Sequence, residues 1–433
     1  MLHRWYKSVP LMQFWNAPVV YKVENREEGA ATMKKQKEIL PCLAAAGAIL
    51  AAICIVASFT GKWPTDGNEY CSYSLQACAW LEGRLDLGQD YPWLELAIVD
   101  GKYYVSFPSF PSFVMLPFAA IFGKDTPDHF ISLAFTVLGV FYAMKIYKRM
   151  TGSMEHAAGA VLFLFLSNGY LFIAMRGWVW FLAQTMCFAL MLMAIDQALA
   201  GREGWAAAFL MCAFGCRPMV VFYAPLLAMI AFRTWKSGHL DGSMWEWIKS
   251  RSIQLIPAVL ILCAYMALNA ARFDSPFEFG HNYLPEFVRE KQFDIRCAPK
   301  HLKQMFRLPK PGGKNGALIY DRFDWMAVWM LTPMSVLFLL AWGKAVLRRQ
   351  WTFETLALPL LVAAHLLVLC CHRTLGGFQF GNRYLVDMLP VLFYAVLYWK
   401  PKGKGYEALF LCMAVMGACV NLLGTVFAYN KGI

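Results

Sequence analysis

The most constraining feature of this 433-residue sequence is a series of long apolar stretches. A stretch of about 20 such residues crosses the hydrocarbon core of a bilayer as an α-helix. The chain is 59% hydrophobic, whereas soluble domains are nearer half apolar. The sequence therefore predicts an all-α polytopic membrane protein with about eleven transmembrane helices, near residues 39–59, 129–147, 156–175, 178–198, 205–216, 218–232, 252–270, 324–342, 353–371, 384–399 and 407–429.

The number of spans depends on residues 205–232, where Arg217-Pro218 divides one long apolar run. This run predicts either two spans or one kinked helix. With the amino terminus in the cytoplasm, eleven spans place every short basic loop inside, as the positive-inside rule requires, whereas ten would put the last two basic clusters outside. We therefore expect a cell-membrane protein with a cytoplasmic tail (residues 1–38), one transmembrane domain (residues 39–433) and an outer carboxyl terminus.

The net charge of +12 does not indicate a nucleic-acid-binding protein, because the basic residues form short clusters between apolar spans. Most of the thirteen cysteines lie within those spans, where they pack as small hydrophobic residues. No metal-type CxxC spacing is present in the sequence. The first 38 residues contain no cleavable hydrophobic region, so we expect the first span to remain as an anchor. Nucleic acid is not expected as a partner.

Two long outer loops, residues 60–128 and 271–323, interrupt the apolar pattern. Residues 62–124 carry seven carboxylates and only four lysines or arginines. Residues 70–82 repeat aromatic and apolar side chains at helical spacing, and residues 107–122 are apolar but broken by prolines. We expect the first segment to be an interfacial helix, with its tyrosines and tryptophan among the lipid headgroups, and the second to be an interfacial or re-entrant helix.

Asp66 and Glu69 lie at the start of the first outer loop, next to the end of the first span. Their three-residue spacing places both carboxylates on one face of a helical turn. There a carboxylate can take a proton from an acceptor hydroxyl or bind a divalent cation through oxygen. Alternatively, Asp66 is the N-cap of the predicted helix that follows. Whether a metal binds here is unknown from the sequence.

Two arginines stand where apolar spans break or begin. Arg217 lies inside an apolar run, and a guanidinium at membrane depth usually faces a cavity or an anion such as phosphate. Arg383 follows a glycine-rich turn and precedes a span, so it could help to bind an anion at a helix amino terminus. The alternatives are an interfacial Arg217 beside a helix break and an Arg383 that pairs with Asp387 at i, i+4.

A fourth polar segment, residues 269–283, follows the span at 252–270 and is dense in hydrogen-bonding and aromatic side chains. This composition suits the recognition of a sugar, although Ser-Pro and Phe-Gly pairs also simply form turns. His281 by itself is more typical of a satisfied loop histidine. In the eleven-span arrangement all four polar places lie on the outer side, so we expect one outward-facing cavity.

Several short motifs resemble bacterial membrane glycosyltransferases of the GT-C fold. The resemblance is closest to the branch with protein mannosyltransferases and aminoarabinose transferases, and it covers roughly residues 40–400. The segments that carry it are 100–104 (DGKYY), 107–108, 116–117, 216–218 (CRP), 272–283 (RFDSPFEFGHNY) and 380–384 (FGNRY).

The resemblance implies a transferase that moves a sugar from a polyprenyl-phosphate donor to an acceptor hydroxyl on a glycan, lipid or protein. It implies Asp66 as the residue that faces the acceptor, with Glu69 as its substitute, and Arg217 and Arg383 as ligands of the lipid phosphate. The substrate-binding residues expected from the motifs are Tyr103, Tyr104, Glu278, His281, Asn282 and Tyr283.

The chain departs from better-known members in two respects. Its early acids are spaced as Asp-Gly-Asn-Glu rather than as adjacent Asp-Glu, and the large soluble carboxy-terminal domain of some members is lacking. A transporter or flippase of a polar or lipid-linked substrate is the competing class, since it also needs many spans and charges that face a cavity. An inactive scaffold of an envelope assembly complex is a third alternative.

Overall fold

The structure is a computed structural model that describes residues 28–287, 291–311, 318–319, 325–399 and 403–430. Residues 1–27 of the predicted tail, parts of the second outer loop and the first residue of the span predicted at 324–342 lie outside the described residues. The α-helices of the described ranges are α1 (Glu28–Thr60), α2 (Ser72–Leu81), α3 (Phe110–Phe122), α4 (Asp128–Thr151), α5 (Ala157–Leu166), α6 (Tyr170–Ala174), α7 (Val179–Leu199), α8 (Glu203–Phe214), α9 (Ala224–Ser237), α10 (Met244–Arg251), α11 (Ile256–Phe273), α12 (Ala298–Gln304), α13 (Val328–Leu331), α14 (Pro333–Leu347), α15 (Phe353–Cys371), α16 (Leu389–Trp399) and α17 (Lys404–Asn430).

Four short strands and several 3-10 helices connect these helices. Strands β1 (Leu96–Val99) and β2 (Lys102–Val105) form one antiparallel hairpin, and β3 (Lys310–Pro311) pairs with β4 (Leu318–Ile319). Among the 3-10 helices that lead directly into longer helices, two lie beside predicted site residues: Pro218–Tyr223 precedes α9, and Arg383–Met388 precedes α16. Both begin at or beside an arginine that the sequence marked as functional.

Seven helical segments within the described ranges are long and apolar enough to cross a membrane, and the protein is a multi-pass membrane protein. The all-α polytopic prediction is thus confirmed, and a helix occurs at each of the eleven predicted positions. The seven segments are Ile39–Thr60, Asp128–Thr151, Val179–Leu199, Pro218–Ser237, Met244–Phe273, Phe353–Cys371 and Lys404–Asn430.

The exact count of eleven spans is not confirmed, because the other four predicted positions hold shorter helices. The first of these is interrupted between α5 and α6, where Gly169 has a φ of +81°. The others are α8, α14 and the α16 region, which includes a 3-10 turn. A 12-residue helix such as α8 rises only about 18 Å, which is less than the ~30 Å hydrocarbon core. Apolar composition alone does not reveal such breaks.

Helix α7 is the centre of the bundle. The apolar part of α7 is 89% buried inside the bundle, whereas the apolar part of Met244–Phe273 is only 17% buried. It packs against α4, α8, α9 and α16. We call the end at which α7 begins and α15 ends the loop end, and the end at which α7 ends and α15 begins the far end.

The first outer loop forms a folded unit at the loop end. The helices predicted at 70–82 and 107–122 are present as α2 and α3, which pack against each other. Tyr73 of α2 is only 1% exposed and contacts the ring of Phe107, so the prediction that it lies among headgroups was wrong. The hairpin between the two helices turns at Asp100-Gly101, where both residues have positive φ, as a two-residue type I′ turn requires.

Candidate functional site

A cavity of about 680 Å³ opens at the loop end of the bundle. Its size is typical of a small-molecule site. Both long loops contribute to it, together with the start of α7, the break between α8 and α9 and the segment after α15. The predicted site residues that line it are Arg217, Glu278, His281, Asn282 and Arg383. Thus three of the four polar places that the sequence singled out meet in one cavity.

Arg217 reaches the cavity because the chain breaks between α8 and the 3-10 helix that begins at Pro218. Its backbone is extended, with φ −143° and ψ 96°. Gly215 lies against Tyr265 and Phe110 so closely that a Cβ atom would be 2.3 Å from the tyrosine oxygen. The backbone N–H of Phe110 donates to the carbonyl of Gly215 at 2.9 Å, which ties the break to the start of α3. A side chain at position 215 would displace these neighbours.

Arg383 is buried beside the glycine-rich turn and is 3% exposed. Gly376 has a φ of +100°, and a Cβ atom there would lie 2.8 Å from the Nη2 atom of Arg383. The guanidinium lies over the rings of Phe181 and Tyr384, at 5.3 and 5.2 Å from their centroids. Glycine at position 376 therefore makes room for the guanidinium, which agrees with the importance that the sequence gave to this turn.

The two arginines have different partners. Arg217 Nε donates to Asp387 Oδ2 at 2.8 Å, so a buried carboxylate balances its charge. Arg383 Nη1 donates to the amide oxygen of Gln184 at 3.1 Å, and its buried Nε has no hydrogen-bond partner. No carboxylate among the described residues forms an ion pair with Arg383, so the Arg383–Asp387 pair, which was the alternative interpretation of this residue, is not formed. Asp387 pairs with Arg217 instead.

Glu95 is a cavity carboxylate that the sequence reasoning did not single out. Trp180 Nε1 donates to Glu95 Oε2 at 3.1 Å, and burial raises the pKa of this carboxyl group. Glu95 directly precedes β1, and its backbone carbonyl accepts from Ser106 Oγ at 2.8 Å at the other end of the hairpin. The Asp100-Gly101 turn between two short apolar runs predicts a hairpin. That hairpin could have indicated Glu95, because this residue lies at its start.

The second outer loop meets the first at the same serine. The His281 Nδ1 atom donates to the Ser106 carbonyl at 2.6 Å, and burial lowers the pKa of this imidazole. His281 is therefore neutral near pH 7, with its proton on Nδ1 and an acceptor at Nε2. Glu278 is held nearby, since it accepts from the Gly280 N–H and from Asn282 Nδ2, both at 2.6 Å. These three residues form one polar wall of the cavity.

Asp66 and Glu69 do not line the cavity. Asp66 Oδ2 accepts from Arg176 Nη1 at 3.0 Å and from the Trp63 N–H at 2.8 Å, within the connection between α1 and α2. It is not the N-cap of α2 either, because Cys71 occupies that position. The backbone carbonyl of Glu69 accepts a hydrogen bond from Trp93 Nε1 at 3.0 Å. The ion-pair partner of Asp66 is therefore the buried Arg176, a residue that the sequence reasoning did not single out.

The three predicted tyrosines also lie outside the cavity lining. Tyr104 contacts the ring of Phe273 edge-to-face, with 5.6 Å between the ring centroids. Tyr283 stacks on the same ring, with 5.7 Å between the centroids. Tyr103 is half-buried in β2, where its carbonyl accepts from the Leu87 N–H at 2.8 Å. The ring contacts of Tyr104 and Tyr283 with Phe273 pack the hairpin against the end of α11 and the second outer loop. Among the described residues, no group of three or more His, Cys, Asp or Glu side chains is arranged to hold a metal ion.

Comparisons with known proteins return similar solved structures but no matching family model and no matching curated protein. One is ArnT from Cupriavidus metallidurans bound to undecaprenyl phosphate, with 15% identity, a TM-score of 0.49 and coverage of 87% of this chain. The apo form gives 14% identity, a TM-score of 0.43 and 89% coverage. The chain spans 63% of the length of these ArnT chains.

A second similar protein is the archaeal oligosaccharyltransferase AglB from Archaeoglobus fulgidus, in complex with an inhibitory peptide and a dolichol-phosphate. It gives 13% identity and a TM-score of 0.38, and the match covers 92% of this chain and 56% of AglB. ArnT is an aminoarabinose transferase, and both proteins are GT-C fold enzymes, the class that the sequence motifs resemble.

Proposed function

We propose that this protein is a membrane glycosyltransferase that moves a sugar from a polyprenyl-phosphate donor to an acceptor hydroxyl at the outer face of the membrane. The observation that carries this proposal is the pair of arginines in one cavity: Arg217 pairs with a carboxylate, whereas the buried Arg383 has no direct ion pair among the described residues. A buried cation without a directly bonded counter-ion is costly, and a bound phosphate would supply one.

The phosphate of the donor binds at Arg383 in this proposal, and Arg217 supports it from the Asp387 pair. Both guanidinium groups lie beside the ring of Tyr384, with Arg217 at 4.7 Å and Arg383 at 5.2 Å from its centroid. The prenyl chain stays in the bilayer, while the phosphate and sugar enter the cavity sideways between the helices. The two positive groups then stabilise the phosphate that leaves, which is electrostatic catalysis in a partly dehydrated site.

The acceptor hydroxyl is activated by a carboxylate at the cavity wall. Its oxygen attacks the anomeric carbon, its proton passes to the carboxylate, and the bond from the anomeric carbon to the phosphate oxygen breaks with the electron pair on phosphate. Glu95 is one of four carboxylates that line the cavity, with Glu278, Glu286 and Asp387. Its raised pKa makes it a stronger base than an ordinary glutamate. Asp66 is the base that the family resemblance implies. If Glu95 is the base, Glu95→Gln loses the chemical step. If Asp66 is the base, Asp66→Asn loses it.

The test is radiolabelled sugar transfer in membranes that overproduce the protein, with a panel of polyprenyl-phosphate sugars as donors. The variants are Arg217→Ala, Arg383→Ala, Glu95→Gln and Asp66→Asn, and the matched control is Arg296→Gln, an exposed arginine of the second loop. We expect product from the wild type and the control, and little from the two cavity arginine variants. Product formation that is equal in the wild type and all five variants would contradict the proposal.

The assay also separates the competing class. A transporter or flippase would move the donor between leaflets without forming a product, and the arginine variants would block that movement. Binding without transfer or movement would indicate that an acceptor or partner is missing.

A further inference from the structure

Gln184 of α7 lies directly between the two arginine systems of the cavity. It is fully buried, and its amide makes three hydrogen bonds to them. The amide oxygen accepts from Arg383 Nη1 at 3.1 Å. The amide nitrogen donates to the Arg383 carbonyl at 3.1 Å and to Asp387 Oδ1 at 3.2 Å. The other oxygen of Asp387 accepts from Arg217 Nε at 2.8 Å, so the amide links Arg383 to the Arg217–Asp387 pair.

The chemistry of this position is restricted on both sides. The oxygen must face the guanidinium, because a guanidinium only donates, and the nitrogen must face the carboxylate and the carbonyl, because these only accept. A glutamate would fit the same volume and would form an ion pair with Arg383. It would then cancel the positive charge and place a second carboxylate beside Asp387. The neutral amide instead orients Arg383 and leaves its charge available.

We infer that Gln184 is a positioning residue that sets the charge and the geometry of the phosphate site. It fixes the guanidinium of Arg383 without neutralising it, and it couples that guanidinium to the Arg217–Asp387 pair. The inference rests on the proposed function, since it names the residue that keeps the donor site cationic. Gln184 lies outside the cavity lining, so it acts through Arg383 and does not contact the substrate.

The test is binding of decaprenyl phosphate to the purified full-length protein in lipid nanodiscs, measured by tryptophan fluorescence from about pH 5 to about pH 9, a range that spans the titration of a perturbed carboxyl group. The variants are Gln184→Glu and Gln184→Leu. The matched control is Gln197→Glu, on the same helix at the far end, where the amide nitrogen of Gln197 donates to Asp196 Oδ2 at 2.8 Å. The control makes the same change beside a buried carboxylate.

The expected result has a pH signature that a purely structural role would not give. Near neutral pH, Gln184→Glu weakens binding about 10-fold or more, as expected when a charged hydrogen bond is redirected. Binding recovers at low pH, because the protonated side chain is neutral like the amide. Gln184→Leu weakens binding at every pH, and Gln197→Glu binds like the wild type.

The wild-type curve is the reference, because other titratable groups surround this position. Those groups are Glu95, Cys187, Arg217, His365, Arg383, Tyr384 and Asp387. Wild-type binding by both Gln184 variants at all pH values would overturn this inference alone. If Gln184→Glu does not fold, wild-type affinity of Gln184→Leu overturns it. No binding by the wild type would overturn the donor proposal and this inference with it.

Discussion

Buried charges occur at both ends of the helix bundle, but they are balanced differently. At the far end, Asp196 accepts from Lys145 at 3.0 Å and from Arg149 at 2.6 Å. Glu354 pairs there with Arg233 and also accepts from a tyrosine. At the loop end, the guanidinium of Arg383 bonds to the amide of Gln184 and lies over two aromatic rings, and it forms no ion pair with a carboxylate of the described residues.

The difference separates charges that hold the bundle together from charges that await a ligand. A buried carboxylate with cationic partners is satisfied by the fold, so its removal should affect stability. A buried cation without a carboxylate is satisfied only when an anion arrives, so its removal should affect binding. Changes of the same kind at the two ends therefore test whether the two sets of charges have these different roles.

The largest expected effect is on catalysis at the loop end. Glu95→Gln should lower the transfer rate by about 10²–10⁴-fold, the usual contribution of a general base, and should leave donor affinity close to that of the wild type. Single-turnover sugar transfer and donor binding measure the two quantities. A wild-type rate in this variant, together with a lost rate in Asp66→Asn, would assign the base to Asp66 instead.

The next effect is on stability at the far end. Glu354→Ala leaves the buried guanidinium of Arg233 without its carboxylate, and it should lower the free energy of unfolding by about 3–5 kcal/mol. Denaturation of the detergent-solubilised protein measures this, and donor binding by the fraction that remains folded should be unchanged. A loss of donor affinity without a loss of stability would remove the distinction between the two ends.

A matched arginine pair gives a third prediction. Arg383→Met should weaken donor binding about 10-fold to 100-fold, the usual contribution of hydrogen bonds to a charged group, without lowering stability. Arg233→Met should do the reverse, because it strands the carboxylate of Glu354. Binding titrations and unfolding curves on the two proteins decide the outcome. Equal effects of the two variants on both measurements would contradict the comparison.

The smallest expected effect is a shift of the pH profile. The hydrogen bond from Trp180 lowers the pKa of Glu95, while burial raises it by more. The active carboxylate form therefore appears as the pH rises through a pKa above the ordinary value of about 4.3. Trp180→Phe removes the hydrogen bond, so the acidic limb of the transfer rate should move to higher pH. An unchanged limb would mean that Glu95 does not control it.

Much of the fold follows from local sequence, because apolar stretches between basic clusters determine where helices occur. Arg217 and Arg383 could be predicted because a proline and a set of glycines mark the chain breaks that bring them to the cavity. Asp66 shows the limit of this reasoning. Its ion-pair partner is 110 residues away in the sequence, and no local pattern indicates that pair.

Gln184 and Glu95 were missed for related reasons. Gln184 is one of two glutamines in an apolar helix, and its partners lie 199 and 203 residues later in the chain. Glu95 is one of several carboxylates in its loop, and only the hairpin that follows it, together with Trp180, directs it to the cavity. Long-range hydrogen bonds decide which polar residue becomes part of a site, whereas composition only shows that one is needed.

Ser106 joins the two outer loops through opposite sides of one residue: its hydroxyl holds Glu95, and its carbonyl holds His281. The second loop therefore cannot swing away from the cavity unless the His281 bond breaks or the hairpin moves with it. The position of the second loop at the cavity mouth and the position of the hairpin that carries Glu95 are therefore coupled through one serine.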